Sequence, residues 1–441
     1  MRVNHIAAAI VAVILAVNGS PSSSPAPKPH DLALRMLRSI EERGQATLDA
    51  GGSTGFIQLA LFWQALAVVT APDSKLKSND DAAAAALRPL LETSLASTIP
   101  AFANVSRDVE ISLDRLALGA EMINWSTRDD HNGNATDFLP TISNLATSLT
   151  LQPQNANGDY WYYNNVANLT AYRNLTYLDG IYSLAPFMTI LPQLSNNNST
   201  SPDPVESLEL ALTHLQHLQH ICTKPSGLLV HGYDAIQSHV WAANSTNGAS
   251  PEVWGRSLAW YSLGLLNTLE IAAKSPQHLN SDAYASLREL FQGVMRAQVQ
   301  AAERSKSLTG VPGVWQVVDA PGEADNFVEA SSSFMSVYTL LRGTRLGYLA
   351  SAGALEEDAH HGCTGGVGGI VDLAKEIYGT VSEQYLINYA NGSLSLNGTS
   401  SVASLSPQGV GYEYYVSRPR EIDSLIGTSA FALASHEMGS L

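Results

Sequence analysis

Cysteine is nearly absent: Cys222 and Cys363 are the only two in a chain of 441 residues. That excludes a small disulfide-stapled scaffold. Basic residues are also scarce, 24 Lys and Arg against 40 Asp and Glu, and the resulting net charge of -16 would repel a phosphate backbone over most of the surface, so nucleic acid is not an expected partner. Only 15% of residues are charged while 45% are hydrophobic, which excludes disorder and coiled coil and supplies material for a large core. The apolar run Ile6 to Val17 is shorter than the about 20 residues a membrane helix needs. No G-x-S-x-G is present, which argues against a serine hydrolase. The Gly-rich stretch Gly362 to Gly369 fits neither the P-loop nor the dinucleotide fingerprint and reads as a flexible connection.

What is present begins with an export signature. Met1-Arg2, the short apolar run and Asn18-Gly19-Ser20 have the form of a secretory signal over residues 1–20. A Ser/Pro-rich segment follows over 21–30, and one continuous unit over 31–441. Ten Asn-X-Ser/Thr sequons lie beyond the signal, at Asn104, Asn124, Asn134, Asn168, Asn174, Asn197, Asn198, Asn244, Asn391 and Asn397. This density predicts a secreted, extracellular glycoprotein with N-glycans on its loops. In an oxidising compartment Cys222 and Cys363 have two alternatives, one bridge across a long loop or two buried thiols.

Apolar residues recur at helical spacing in about a dozen segments, beginning near Asp31, Gly55, Asp81, Asp108, Asp137, Asp179, Val205, Pro251, Ser281, Phe327, Leu355 and Ile422. Long period-two alternation is lacking. A dozen helices in one unit suit antiparallel hairpins closed into an all-α, (α/α)6 barrel. Segments apolar on most of their circumference, Phe56 to Val69 and Leu258 to Ile271, would form an inner ring. Asp31 to Ala46, charged on one face, would lie outside. Between the helices run short extended stretches rich in aromatics: Asp159 to Tyr163, Gly227 to Trp241, Gly313 to Asp319 and Gly411 to Val416. Aromatics spent on loops line something.

Carboxylates, aromatic faces and polar groups together are what a carbohydrate site requires. Asp179, in YLDGIYSLAPF over 177–187, stands where a helix begins, and is either an N-cap or an acid at a barrel mouth. In SPEVWGRSLAWY, over 250–261, Ser250 reads as a cap and Pro251 as the first helical residue. Arg256 then sits against the positive end of the helix dipole, which predicts an anion beside it: a carboxylate-bearing sugar, or a neighbour such as Glu252. Trp254 and Trp260 flank it. His231 lies on an extended aromatic segment. His214, His217 and His220 recur every third residue without a carboxylate or cysteine at ligand spacing, so they read as a solvated helix face and no metal is expected.

These runs, with GLLVHGYD (227–234), GVWQVVD and EASSSFM (313–335) and YYVSRPREIDSLIGTSAFALAS (414–435), resemble the unsaturated rhamnogalacturonyl hydrolases of glycoside hydrolase family 105 and, more distantly, the unsaturated glucuronyl hydrolases of family 88. The resemblance implies an (α/α)6 barrel, no cofactor, and an unsaturated uronyl oligosaccharide as substrate. It implies Asp179 as general acid/base, protonating C4 of the C4=C5 bond and adding water at C5, so that a hemiketal opens and the neighbouring sugar leaves. Asp114, in a looser D-x-x-x-x-G match, would be the second acid. His231, Trp254, Arg256, Trp260, Tyr177 and Trp161 map onto sugar-binding positions. Where many bacterial members have Trp-His-Lys and a Trp before the acid, this chain has Trp161-Tyr162-Tyr163 and Tyr177, which bears on the aglycone. The alternatives are glucuronyl hydrolysis on other lyase products, or a barrel that binds acidic oligosaccharides without turnover.

Overall fold

The computed structural model describes residues 27–48, 54–71, 80–127, 138–164, 169–194, 203–349 and 367–441. The signal, Asn134, Asn168, Asn197, Asn198, Cys363 and the helix start near Leu355 lie outside them. Twelve long helices occur among the described residues: α1 (Pro29–Glu42), α2 (Gly55–Val69), α3 (Asp80–Thr98), α4 (Arg115–Ser126), α5 (Leu139–Thr150), α6 (Asp179–Ile190), α7 (Pro204–Cys222), α8 (Gly255–Ala272), α9 (Asp282–Thr309), α10 (Ala330–Arg345), α11 (Val367–Tyr385) and α12 (Leu425–Gly439). No described helix is long and apolar enough to cross a membrane.

The even-numbered helices form a closed ring, each packing on the next, with α12 returning to α2. The odd-numbered helices pack outside, α1 against α12, α7 against α6, α9 against α8 and α11 against α10. This is the six-hairpin barrel. Burial follows the sequence pattern: every residue of α6 is buried, and α8 is buried along almost its whole length, because an inner helix has protein on both sides. The ring is tight where α8 crosses α6. A Cβ on Gly264 would lie 2.8 Å from the Ile181 carbonyl oxygen, so only glycine fits.

Two outer helices carry ordinary punctuation. Asp203 caps α7, Ser281 caps α9, and Gly310 ends α9 in the left-handed region. Inner helices α2, α4, α6, α8 and α12 have no side-chain cap. Several of those bare starts open into one cleft. Two starts differ from expectation. Near Asp108 there is only a short turn, and the long helix begins at Arg115. Ser250 is not a cap: residues 250–254 are extended, with Ser250 N–H donating to Gly232 O, Val318 N–H to Val253 O, and Trp254 bridging Val317, so α8 starts at Gly255. Of the Gly-rich stretch, residues 362–366 lie outside the described part, while Val367 to Gly369 open α11 and are helical.

Short antiparallel pairs trim one end of the ring: β1 (Leu175–Tyr177) with β2 (Gly232–Asp234), β3 (Leu386–Asn388) with β4 (Leu394–Leu396), and β5 (Thr399–Ser400) with β6 (Arg420–Glu421). Tyr177 pairs with Gly232, which sets His231 beside the start of α6.

Candidate active site

A cleft of about 610 Å³ opens at the N-terminal ends of the inner helices. Ile57 and Gln58 of α2, Asp179 of α6, Arg256 and Trp260 of α8, and Leu425 and Ile426 of α12 reach it, together with Trp254, Tyr162, Tyr163, Tyr172, Tyr177 and the 400–404 and 421–424 segments. Helix starts carry partial positive charge, so their convergence favours an anion in a cleft that also holds Asp179, Glu421 and Asp423.

Asp179 is the first residue of α6 and makes no capping hydrogen bond. It is 8% exposed. Ser257 Oγ donates to its Oδ2 at 2.5 Å, and His231 Nε2 lies 3.4 Å from the same oxygen. His231 is held from elsewhere: its carbonyl accepts from Leu178 N–H at 3.0 Å and from Ser257 Oγ at 3.2 Å, and its Nδ1 is 2.8 Å from the Tyr415 hydroxyl. The imidazole is fully buried between Trp254 and Tyr177, with ring centroids 4.6 and 5.1 Å away. Asp179 thus stands in the cleft and does not cap its helix.

Asp114 lies behind Tyr162, whose hydroxyl donates to its Oδ1 at 2.6 Å, and Ser112 Oγ donates to Oδ2 at 3.1 Å. It does not line the cleft. Burial raises its carboxyl to about 7, against the hydrogen bond from Tyr162, and the nearby charge of Asp179 raises it further. Arg115 does not neutralise it by contact. Its guanidinium turns to Ser148 and Gln152 and to the carbonyls of Ile111 and Ser112.

Arg256 is buried, and its anion is neither Glu252 nor an open place. Glu329, the N-cap of α10, stands 3.6 Å away, while Nη1 donates to Ser400 O at 2.5 Å and Nη2 to Ser401 O at 2.9 Å. The guanidinium also lies 4.7 Å over the Trp254 ring. Arg256 therefore clamps the 400–401 segment that walls the cleft, and presents only the remainder of its fork to a substrate. Tyr177 has a similar double role: its ring packs on Tyr162, and its hydroxyl accepts from Leu405 N–H at 3.0 Å. Trp260 packs on Tyr182 at 4.7 Å and lines the cleft. Trp161 does not line it, and Tyr162 and Tyr163 stand there instead.

The histidine triplet departs from a solvated face. His214 is buried, and its Nδ1 and that of His217 lie 3.1 and 3.3 Å from Asp159 Oδ1, while Tyr233 OH donates to Oδ2 at 2.5 Å. Only His220 is exposed. The network fastens the 153–163 segment, which carries Tyr162 and Tyr163, to α7. Among the described residues no three His, Cys, Asp or Glu groups form a metal cluster. Cys222 is a buried free thiol. Sequence reasoning missed Ser257, Glu329, Tyr415 and Asp159. Ser257 lay inside the quoted 250–261 run, but nothing about a serine in a first helical turn marks it as a partner of Asp179.

With this geometry in place, comparison with known proteins is decisive for the family. The model of Glycosyl Hydrolase Family 88 matches residues 111–441. The chain belongs to glycosyl hydrolase family 88. Two curated proteins, Atu3128 of Agrobacterium fabrum and the 24.9 kDa protein in the picA locus of Rhizobium radiobacter, are each 36% identical over 149 residues, which is 33% of this chain. The chain spans 56% of the length of each. A family 105 glycoside hydrolase from Clostridium acetobutylicum superposes with a TM-score of 0.69 at 22% identity, over 93% of this chain and 99% of that one. The unsaturated glucuronyl hydrolase of Bacillus sp. GL1, described as responsible for glycosaminoglycan degradation, gives 0.58 at 12% identity, over 92% and 94%. At these identities the likeness establishes the fold, the six-hairpin barrel of the family 88 and 105 glycosidases. All the residues singled out for the site, from Asp114 to Trp260, fall inside the matched family 88 region.

Proposed function

We propose that this family 88 protein is a secreted hydrolase that removes the 4,5-unsaturated galacturonyl residue from rhamnogalacturonan oligosaccharides by hydrating the C4=C5 bond. The observation that carries the reading is the state of Asp179: a helix-start carboxylate with no capping duty, at the base of an aromatic cleft, with Ser257 and His231 on one oxygen. That leaves Oδ1 for the reacting atoms. In its protonated form the carboxyl delivers its proton to C4. As C5 develops positive charge, water adds there, its proton passes to the carboxylate, and the hemiketal opens to release rhamnose. Hydration of an alkene needs no nucleophile, so the paired-carboxylate spacing of ordinary glycosidases does not apply. Asp114, behind Tyr162, acts on Asp179 through charge. Burial and the nearby charge of Asp179 hold the Asp114 carboxyl up, so Asp114 is kept protonated beside the reacting acid further into the neutral range than an ordinary carboxyl. The substrate carboxylate is favoured by the converging helix starts, and the sugar faces by Trp254, Trp260 and Tyr177.

The test is incubation with lyase-digested rhamnogalacturonan. Wild type is expected to abolish the alkene absorbance and release rhamnose, and Asp179→Asn to do neither. Consumption of glucuronyl-terminated fragments instead would replace the substrate. Binding without loss of alkene in wild type would leave only a lectin-like barrel.

A further inference from the structure

The barrel has a second cavity, of about 550 Å³, lined by the other ends of the inner helices. Gln64 and Ala67 of α2, Asn124 and Trp125 of α4, and Glu270 of α8 lie in their helices' last turns or near them. Its size is that of a small-ligand site. Its wall mixes indole (Trp63, Trp125), carboxamide (Gln64, Asn267) and charge (Glu270, with Lys274 exposed at the rim), a combination that suits sugar rings bearing hydroxyl and acetamido groups. The occupant is indicated by Asn124, which is at once a lining residue and the acceptor of the sequon Asn124-Trp125-Ser126. The other described sequons sit differently. Asn104, Asn244, Asn391 and Asn397 are exposed, and Asn174 is half-buried but lines neither this cavity nor the cleft.

We infer that Asn124 carries an N-linked glycan whose first N-acetylglucosamine units seat in this cavity. The inference rests on export through the secretory route, which is part of the function proposed above. Attachment forms the bond from Asn124 Nδ2 to C1 of the first sugar and breaks the bond from C1 to the oxygen of a lipid-linked diphosphate donor. It releases that diphosphate and the amide proton. It takes place on the extended chain, before α4 closes against its neighbours. The folded barrel then holds the inner sugars between Trp125 and the Gln64 and Asn267 carboxamides, and the outer sugars pass Lys274 to solvent.

The full chain, made in a eukaryotic secretory host, is digested under native and unfolding conditions with an amidase that releases N-glycans, and each sequon is followed by glycopeptide mass spectrometry. Asn124 is expected to be occupied and, in the native protein, to be released at least tenfold more slowly than Asn244, with the difference lost on unfolding. Ser126→Ala, which keeps the Asn124 side chain and removes the sequon, is expected to lower the unfolding midpoint and leave turnover unchanged. Bare Asn124 beside occupied Asn244 or Asn391 would overturn this inference alone. Bare asparagines throughout would overturn export together with it. Equal native release at Asn124 and Asn244 would show a glycan in solvent and overturn the seating.

Discussion

The two mouths of this barrel are built from opposite ends of the same helices, and each carries charge of both signs. At the N-terminal mouth stand Asp179, Glu421 and Asp423 with Arg256, which Glu329 backs, and at the C-terminal mouth Glu121, Glu270, Lys274, Arg342 and Arg345. They differ in how the charges are spent. At the C-terminal mouth Arg342 holds Glu270 at 2.5 and 3.0 Å, and Glu437 takes both Arg342 and Arg345 at 3.1 and 2.7 Å. Glu270 and Glu437 each have a cation. At the N-terminal mouth the buried Arg256 is given to Glu329 and to the 400–401 backbone. Asp179 is left with a hydroxyl and an imidazole. A paired carboxylate is a stable ion with no proton to give, whereas an unpaired one in an aromatic cleft is free to exchange its proton. The contrast separates chemistry from scaffolding along one helix.

Substitutions at the two ends should therefore dissociate activity from stability. The largest effect is at Asp179. Replacement by Asn is expected to cut kcat by about 10²–10⁴-fold while the unfolding midpoint stays within error, because no cap is lost. Equal stability loss would mean the carboxylate was structural. Next comes Asp114. Its folded carboxyl titrates at about 7 against about 4 in an unfolded chain, so it stabilises the fold fully below pH 4 and that contribution is lost as pH rises to 7. The loss is about 4 kcal/mol by linkage, an upper bound. Asp114→Asn, which keeps an acceptor for Tyr162, is expected to flatten the stability profile between pH 4 and 7 in denaturant titrations. An unchanged slope would show that another group sets it.

At the opposite mouth, Glu437→Gln is expected to cost about 3 kcal/mol, since it leaves the partly buried Arg345 without its carboxylate and Arg342 with Glu270 alone, with kcat per folded molecule unchanged. Burial pushes the Glu437 carboxyl up, but Arg345 and Arg342 outweigh it and hold it below the usual range. Its contribution is thus present above the ordinary carboxylate titration and is lost on acidification. The pH trends of the two ends run in opposite directions, which chemical denaturation of the two variants across pH would display.

The ring was legible in the sequence because inner helices announce themselves by being apolar all round. Phe56 to Val69 and Leu258 to Ile271 are inner, and the charged-faced segment from Asp31 is outer. Local punctuation was a poorer guide. Ser250-Pro251-Glu252 has every mark of a helix start, yet its backbone groups go to Gly232 and His231, which no local pattern encodes. The same limit applied to the site. Asp179 and His231 stood out as a helix-start acid and a loop histidine. The partner of Arg256 is on another hairpin, and His214 is buried, with His217 half-covered beside it, because Asp159 crosses that face from a loop. Period and cap signals are local, whereas pairing across the ring is a property of closure.

The smallest effect tests the pairing that the sequence hid. The Tyr415 hydroxyl, kept protonated by burial, lies 2.8 Å from His231 Nδ1, and donation there places the imidazole proton on Nε2, which faces Asp179 at 3.4 Å. Tyr415→Phe keeps the ring beside Trp254 and removes only that donor, so the other tautomer becomes accessible and an Nε2 proton facing the carboxylate at 3.4 Å is no longer fixed there. A drop of about tenfold in kcat with unchanged KM is expected, equivalent to about 1.4 kcal/mol. Because the tautomer set by Tyr415 is then no longer fixed, the pH–rate profile of the variant should differ from that of wild type. A structural role alone would lower the unfolding midpoint and leave the profile in place. At the other mouth, Tyr338→Phe provides the matched control, because a tyrosine among paired charges has no tautomer to set, and its profile should not move.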